Sequence, residues 1–433
     1  MKLNLTKFFQ ACNPSKTLVV GKPEDRQYYI DFSQVRGGKI IEELGRTITR
    51  LSPDEPTCQL FTGHIGCGKS TELQRLKTEL EQQELHVVYF ESSQSLDMAD
   101  VDVTDILLAI AREVSQSFEE IKINLRPGYF QHLFAELADL LLTPIELSEV
   151  ELSVGITKIT TKAKDSPRLR GQLRQYLEPR TNSILEAINQ ELLKPAIEKL
   201  KQRGKQGLVV IVDNLDRVDN CLKPVGYFQP EYLFVERGEQ LKQLNCHVVY
   251  TIPLVLMFSN ALGRLRNRFA VTPKVLPMVP VQLRDGSENH QGITLLQQLV
   301  MARAFPGVSW EQSRNLVTRV FDSVDTLERL CKVSGGHVRN LLMLLYSCLQ
   351  REDPPLSREC LESVIGQSRN ELSLAITPDE WLLLREVAQH KSVRGEERYQ
   401  ILIANMFVFE YRDSDGSWFD INPILAEAKE FVL

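Results

Sequence analysis

The sequence predicts an α/β fold: a five-stranded parallel sheet flanked by helices, then an α-helical lid, then a small winged-helix domain. Three observations carry this. Short apolar runs alternate with helical periodicity up to about residue 281, the pattern of a parallel sheet with crossover helices. After Val281 the periodicity is wholly helical. Near the C-terminus, two β-rich runs flank Asp413-Ser414-Asp415-Gly416, a hairpin signal.

The elements follow in order. Residues 1–39 form a lead-in of mixed signals. Ile40–Leu51 has helical spacing. Strands are predicted at Thr57–Thr62, His86–Glu91, Leu208–Asp213, His247–Thr251 and Lys274–Val279. The gap between the second and third strands is long. Helices are expected there near Val103–Phe118, Tyr129–Leu142 and Pro167–Lys201, the last with breaks at Pro179 or Pro195. Glu151–Thr160 alternates like a strand. These signals divide the chain into a sheet domain at 40–281, with an insert at about 120–205, a lid at 282–372 and a winged-helix domain at 373–433. The lid helices are expected at Gly292–Phe305, Trp310–Val320, Val324–Cys331, His337–Gln350 and Ser357–Arg369. Thr377-Pro378-Asp379-Glu380 opens the last domain as a helix start with proline in its first turn.

Chemistry enters at Gly63-His64-Ile65-Gly66-Cys67-Gly68-Lys69-Ser70-Thr71. This run fits G-x-x-x-x-G-K-[ST], between an apolar strand and a helical segment. Glycines let backbone N–H groups curl around phosphate oxygens, and the following helix adds its positive end. Lys69 can reach the β- and γ-phosphates, and the Ser70 hydroxyl can ligate Mg²⁺. The expected ligands are therefore ATP and Mg²⁺. Leu208–Val212 is a continuous apolar run ending in Asp213-Asn214-Leu215-Asp216-Arg217. Such a strand is buried on both faces. Asp213, at its carboxyl end, is the candidate second magnesium ligand, and Asp216 the candidate for polarising the attacking water.

Composition bounds the partners. The 433 residues carry a net charge of −6 with a pI near 5.8, so the whole surface is not that of a nucleic-acid binder. No apolar run approaches the roughly 18 residues that span a bilayer. The eight cysteines are scattered, without C-x-x-C or zinc spacing, which suits a reducing cytoplasm. Lys158, Lys162, Lys164, Arg168, Arg170, Arg174 and Arg180 form a locally basic stretch. It reads as a solvated or protein-binding face, with a phosphate contact as the alternative. From Leu374 onward eleven acids face six bases, the wrong sign for a winged helix gripping DNA.

Arg339 follows Gly335-Gly336-His337-Val338 and falls in the first turn of a lid helix. There it can reach a γ-phosphate; the bland alternative is an arginine on a solvated face. Arg264, Arg266 and Arg268 precede the fifth strand. They are arginine-finger candidates for a neighbouring subunit, or simply a basic helix end.

Together these motifs resemble the AAA+/STAND division of P-loop ATPases, over roughly Ile40 to Ser373. The Asp213-Asn214-Leu215-Asp216-Arg217 run is most similar to STAND and KAP-type proteins. The Gly335-Gly336…Arg339 run is similar to the second sensor of origin-recognition ATPases. The resemblance implies that Thr251, at the end of the fourth strand, touches the γ-phosphate or the attacking water; β-propensity is the other reason for a threonine there. Asn214 stands where the commonest AAA+ pattern has glutamate, so slow hydrolysis is expected. Some bacterial anti-phage ATPases share this architecture, although no motif here assigns that role. The leading expectation is an ATP-driven molecular switch that couples lid closure to homo-oligomer assembly or to a partner chain bearing an effector. A DNA-associated loader or remodeller is the runner-up, and a nucleotide-bound scaffold with little turnover is the third reading.

Overall fold

The computed structural model describes residues 2–432 apart from 124, 126 and 141–151. Five strands form the main sheet: β1 (Cys58–Gly63), β2 (Leu85–Glu91), β3 (Gly207–Asp213), β4 (His247–Thr251) and β5 (Lys274–Leu276). Their order is β2-β3-β4-β1-β5, and every pairing is parallel. All five carboxyl ends therefore share one edge, where ligands bind in open parallel sheets. All seven positions of β3 are buried, as its unbroken apolar run requires. The five predicted strands are all present; the fifth stops early, at Leu276.

One face of the sheet packs against Val103–Glu120 and the helices of the insert. The proline-bearing helix is broken as expected. It runs Pro167–Leu177, passes through a tight turn at Glu178–Arg180 that holds Pro179, then continues through Thr181–Ala187 and a widened turn to Lys194–Gln202. The helix expected at Tyr129–Leu142 runs Gly128–Leu140, and residues 141 and 142 lie outside the described residues. The strand expected at Glu151–Thr160 is instead the start of a helix, Leu152–Asp165, with residue 151 outside the described residues. The same letters carry two patterns. Leu152, Ile156 and Ile159 are spaced i, i+4, i+7 and are all buried, and burying that stripe against Val103–Glu120 outweighs the local alternation. Gly155 lets the Phe134 ring approach: a Cβ there would lie 2.4 Å from the ring.

The lid core joins His290–Ala304, Val324–Val333, Val338–Leu349 and Arg358–Ser373 through Leu296, Val300, Leu330, Leu341 and Ile365. Phe8, Cys12, Phe32 and Val35 belong to the same cluster. The lead-in is thus folded onto the lid.

The C-terminal unit has helices Pro378–His390 and Glu397–Ala404, then a hairpin of β6 (Val408–Asp413) and β7 (Gly416–Ile421). This is the element order of a winged helix. Thr377 and Glu380 cap the first helix reciprocally, with N···O distances of 3.3 and 2.7 Å. Strand alternation gives the hairpin two buried faces. Val408, Phe419 and Ile421 pack on their own helices, whereas Phe409, Tyr411 and Trp418 pack against the second face of the main sheet. The Met278 N–H donates to the Glu410 carbonyl at 2.9 Å and fixes the hairpin beside β5.

Candidate functional site

The phosphate loop leaves β1 and enters the helix Lys69–Gln82. Gly63, Gly66 and Gly68 have φ of +155°, +88° and +108°, conformations that side chains resist. No side chain caps the helix at Gly68, so its first N–H groups are open to an anion.

Lys69 is buried, and its ammonium donates to the Gly63 and His64 carbonyls at 2.8 Å each. It also pairs with Asp216 at 2.9 Å. Those three contacts use all its donors. Burial alone pulls the Lys69 pKa down, but the Asp216 charge more than offsets this and the net shift is upward. Asp213 is fully buried. It accepts from Tyr89 Oη at 2.7 Å and from the Asn214 N–H at 2.7 Å. The Ser70 hydroxyl also bonds to it. Burial raises the Asp213 pKa, and the nearby Asp216 carboxylate adds to the rise.

These donors fit Mg²⁺. A hydroxyl and a carboxylate meet at Ser70 and Asp213, two buried carboxylates lie close together, and Asp216 Oδ1 has no partner. No cluster of three or more metal-ligating side chains occurs among the described residues. The arrangement suits a cation held by one or two protein groups together with phosphates and water.

Thr251 is fully buried and does not line the cleft over the loop. Its hydroxyl accepts from the Leu215 N–H at 3.0 Å and donates to the Val212 carbonyl at 3.3 Å. β4 lies between β1 and β3, so Thr251 ties the end of the acid strand to the centre of the sheet. The geometry gives it a positioning contact.

The tip of the loop is gripped from outside the sheet. The Arg339 N–H donates to the Gly66 carbonyl at 3.2 Å. His337 Nε2 donates to the Ile65 carbonyl at 2.8 Å, so its proton sits on Nε2. The Glu410 N–H of β6 donates to His64 Nε2 at 2.9 Å, which places the His64 proton on Nδ1. Burial pushes the His64 pKa down and takes His337 to about 4, so both rings are neutral near pH 7. Phe409 lies between them, with ring centroids 5.9 Å from His64 and 5.7 Å from His337. Gly335 and Gly336 both have positive φ. At Gly336 a Cβ would fall 1.6 Å from the Val279 carbonyl oxygen, so only glycine brings the lid this close. The Arg339 side chain lines the cleft with Asp216 and Arg217. Partial burial and the Arg217 charge lower its pKa.

The remaining candidates lie elsewhere. Arg264 pairs with Glu231 and Glu236, and Arg268 donates to the Val235 carbonyl at 2.9 Å. Arg266 is exposed and has no hydrogen bond or ion pair among the described residues. In the basic stretch, Arg170 pairs with Asp97 and Arg174 with Asp100, so part of its charge is answered within the chain. Nothing in the sequence marked Tyr89 or Glu410 as site residues, nor the lead-in. Ser15, Lys16, Leu18, Tyr28 and Arg36 all line the cleft.

Sheet order, phosphate loop and acid strand define a P-loop nucleoside-triphosphatase fold. Residues 38–221 match the KAP family P-loop domain. Among solved structures it is similar to the Aeropyrum pernix ORC2 protein (ADPNP-ADP complexes), at 13% identity and TM-score 0.42, over 88% of this chain and 89% of that one. It is similar to the Walker-type ATPase paby2304 of Pyrococcus abyssi at 11% identity and TM-score 0.46, over 98% and 100%. It is also similar to Cdc6p from Pyrobaculum aerophilum at 11% identity and TM-score 0.38, over 98% and 96%. No protein of curated function matches the sequence. No described helix is long and apolar enough to cross a membrane.

Proposed function

We propose that this protein is an ATP-binding, slowly hydrolysing molecular switch in which the phosphate loop sets the position of the lid and the C-terminal hairpin. The observation that supports it best is the grip on the loop tip: His337 and Arg339 from the lid and Glu410 from β6 bond to three consecutive loop residues. Any shift of the loop on binding a triphosphate is felt directly by both units. In this reading 1–39 is the lead-in, 40–281 the ATPase domain with an insert at about 120–205, 282–372 the lid and 373–433 the winged-helix unit. Mg²⁺ would sit between Ser70, Asp213 and the phosphates, where it supplies charge neutralisation in phosphoryl transfer. Asp216 and Arg339 face the γ-phosphate end, and Thr251 holds Leu215 so that Asp216 keeps its place. Arg266 is the arginine with freedom to reach a neighbouring subunit. An effector resides on a partner chain. The free thiols suit a cytoplasmic setting.

A DNA-loading role has less support. The hairpin face bearing Phe409, Tyr411 and Trp418 is buried against the sheet, and the C-terminal unit is acidic.

The wild-type protein is the test. Small-angle scattering and sizing chromatography should give a different envelope or assembly state with ATP than with ADP. Identical behaviour with the two nucleotides rejects the switch and favours the scaffold reading. Asp216→Asn should keep ATP binding, because releasing Lys69 leaves it free for phosphate, and should slow hydrolysis about 100-fold or more if Asp216 orients water. Wild-type turnover in that variant removes the water-orienting role.

A further inference from the structure

Among the described residues, two buried arginines outside the recognised motifs have no ion pair; the Glu72 and Asp31 carboxylates act on the first, Arg36, at longer range only, and no carboxylate acts on the second, Arg303. Arg36, in the lead-in, is 3% exposed, and Arg303, on the lid helix His290–Ala304, is 5% exposed. Neither has an ion pair among the described residues, and the Nε of each has no partner. Arg36 donates from Nη2 to the Cys67 carbonyl at 2.8 Å and lies over the Phe32 ring. Arg303 donates from Nη1 to the Leu299 carbonyl of its own helix at 2.9 Å. Both line the cleft over the phosphate loop. Burial pulls both guanidinium pKa values down. A buried, unpaired guanidinium costs free energy that only a ligand acceptor or anion can return.

Their positions differ. Arg36 bonds to the phosphate loop itself, and its Nη1 is 4.0 Å from where a Cβ of Gly68 would stand. Arg303 sits among Cys12, Tyr28 and Leu299, away from Lys69 and Asp216. The phosphate loop fixes one end of a bound nucleotide, so the base must lie toward the other. Leu18, Tyr28, Leu299 and Leu342 supply apolar walls for it there.

We propose that Arg36 is a phosphate-binding residue and Arg303 a base-end residue that donates to an acceptor on the nucleotide's heterocycle, so that lead-in and lid hold opposite ends of one ligand. The proposal rests on the nucleotide-binding reading above. It makes the lead-in part of the binding site, and it makes a guanidinium, which only donates, the polar reader of the base.

The test uses the full chain and two probes, ATP and inorganic tripolyphosphate, by calorimetry. Arg36→Met should weaken both about tenfold or more, the scale of one charge-assisted hydrogen bond. Arg303→Met should weaken ATP about tenfold and leave tripolyphosphate within about twofold. The melting temperature without ligand should hold or rise in both variants, since each loses an unpaired buried charge. Arg36→Lys and Arg303→Lys keep the charge if methionine impairs folding, and should bind more tightly than the methionine variants. Unchanged affinity for both probes, equal loss of both in Arg303→Met, or a lowered melting temperature with an undiminished nucleotide-induced rise overturns the proposal. Failure of the wild-type protein to bind either probe would instead reject the nucleotide-binding reading itself.

Discussion

Lys69→Ala is expected to weaken ATP binding about 100-fold or more, near the 3 kcal/mol upper end for a hydrogen bond to a charged group. The ammonium is the cation the loop itself supplies, and in the structure it is already oriented by the Gly63 and His64 carbonyls. The substitution has a second consequence. Asp216, whose side chain is 5% exposed, loses its only ion-pair partner among the described residues. Breaking a buried pair from one side destabilises by about 3–5 kcal/mol. Lost binding could then be confused with a damaged fold. The double variant Lys69→Ala/Asp216→Asn separates the two, because it removes both charges together. It should recover most of the lost melting temperature and none of the lost ATP affinity. If the double variant binds ATP like the wild type, the phosphate-loop assignment is wrong.

The parts of this site that were readable in the sequence are those whose chemistry is local. The phosphate loop is nine consecutive residues, and its glycines and lysine must stand at fixed spacing for the backbone to wrap a phosphate. β3 is legible for a related reason: a strand covered on both faces can carry no polar residue until it ends, at Asp213. The parts that could not be read depend on contacts distant in sequence. Phe8, Phe32 and Val35 find their partners some 260 to 360 residues later, in the lid core. No periodicity within the lead-in reveals that. Arg36 looks like any charged residue until its burial beside Cys67 is known. Hairpin alternation announces two apolar faces in Phe409, Tyr411 and Trp418 against Val408, Phe419 and Ile421, but not that the first set closes over the sheet. The segment Leu152–Asp165 failed differently. Its residues satisfy both periods at once, and only the neighbouring helix decides between them.

Arg339→Ala is expected to abolish the difference between ATP and ADP. The residue joins lid and loop in two ways. Its backbone N–H holds the Gly66 carbonyl at 3.2 Å, and its side chain lines the cleft beside Asp216 and Arg217. Alanine keeps the first contact and deletes the second, so the lid should stay docked while the side-chain charge over the loop is gone. A ligand shifts a conformational equilibrium only by its differential affinity for the two states. ADP lacks the γ-phosphate, so that arginine is where the two nucleotides would differ. Its loss should bring the two affinities together, lowering ATP about 10- to 100-fold and ADP by about threefold or less. ATP-dependent compaction or assembly should vanish in scattering and sizing chromatography. Hydrogen exchange gives the sharper reading at β6, where the Glu410 amide bonds to His64. In the wild type its protection should differ between ATP and ADP, and in Arg339→Ala it should not. A variant that keeps the full wild-type difference would clear Arg339 of the sensing role and move attention to Arg266, the finger candidate with no partner among the described residues. A variant that loses Glu410 protection with every ligand would mean that the arginine holds the lid in place and senses nothing.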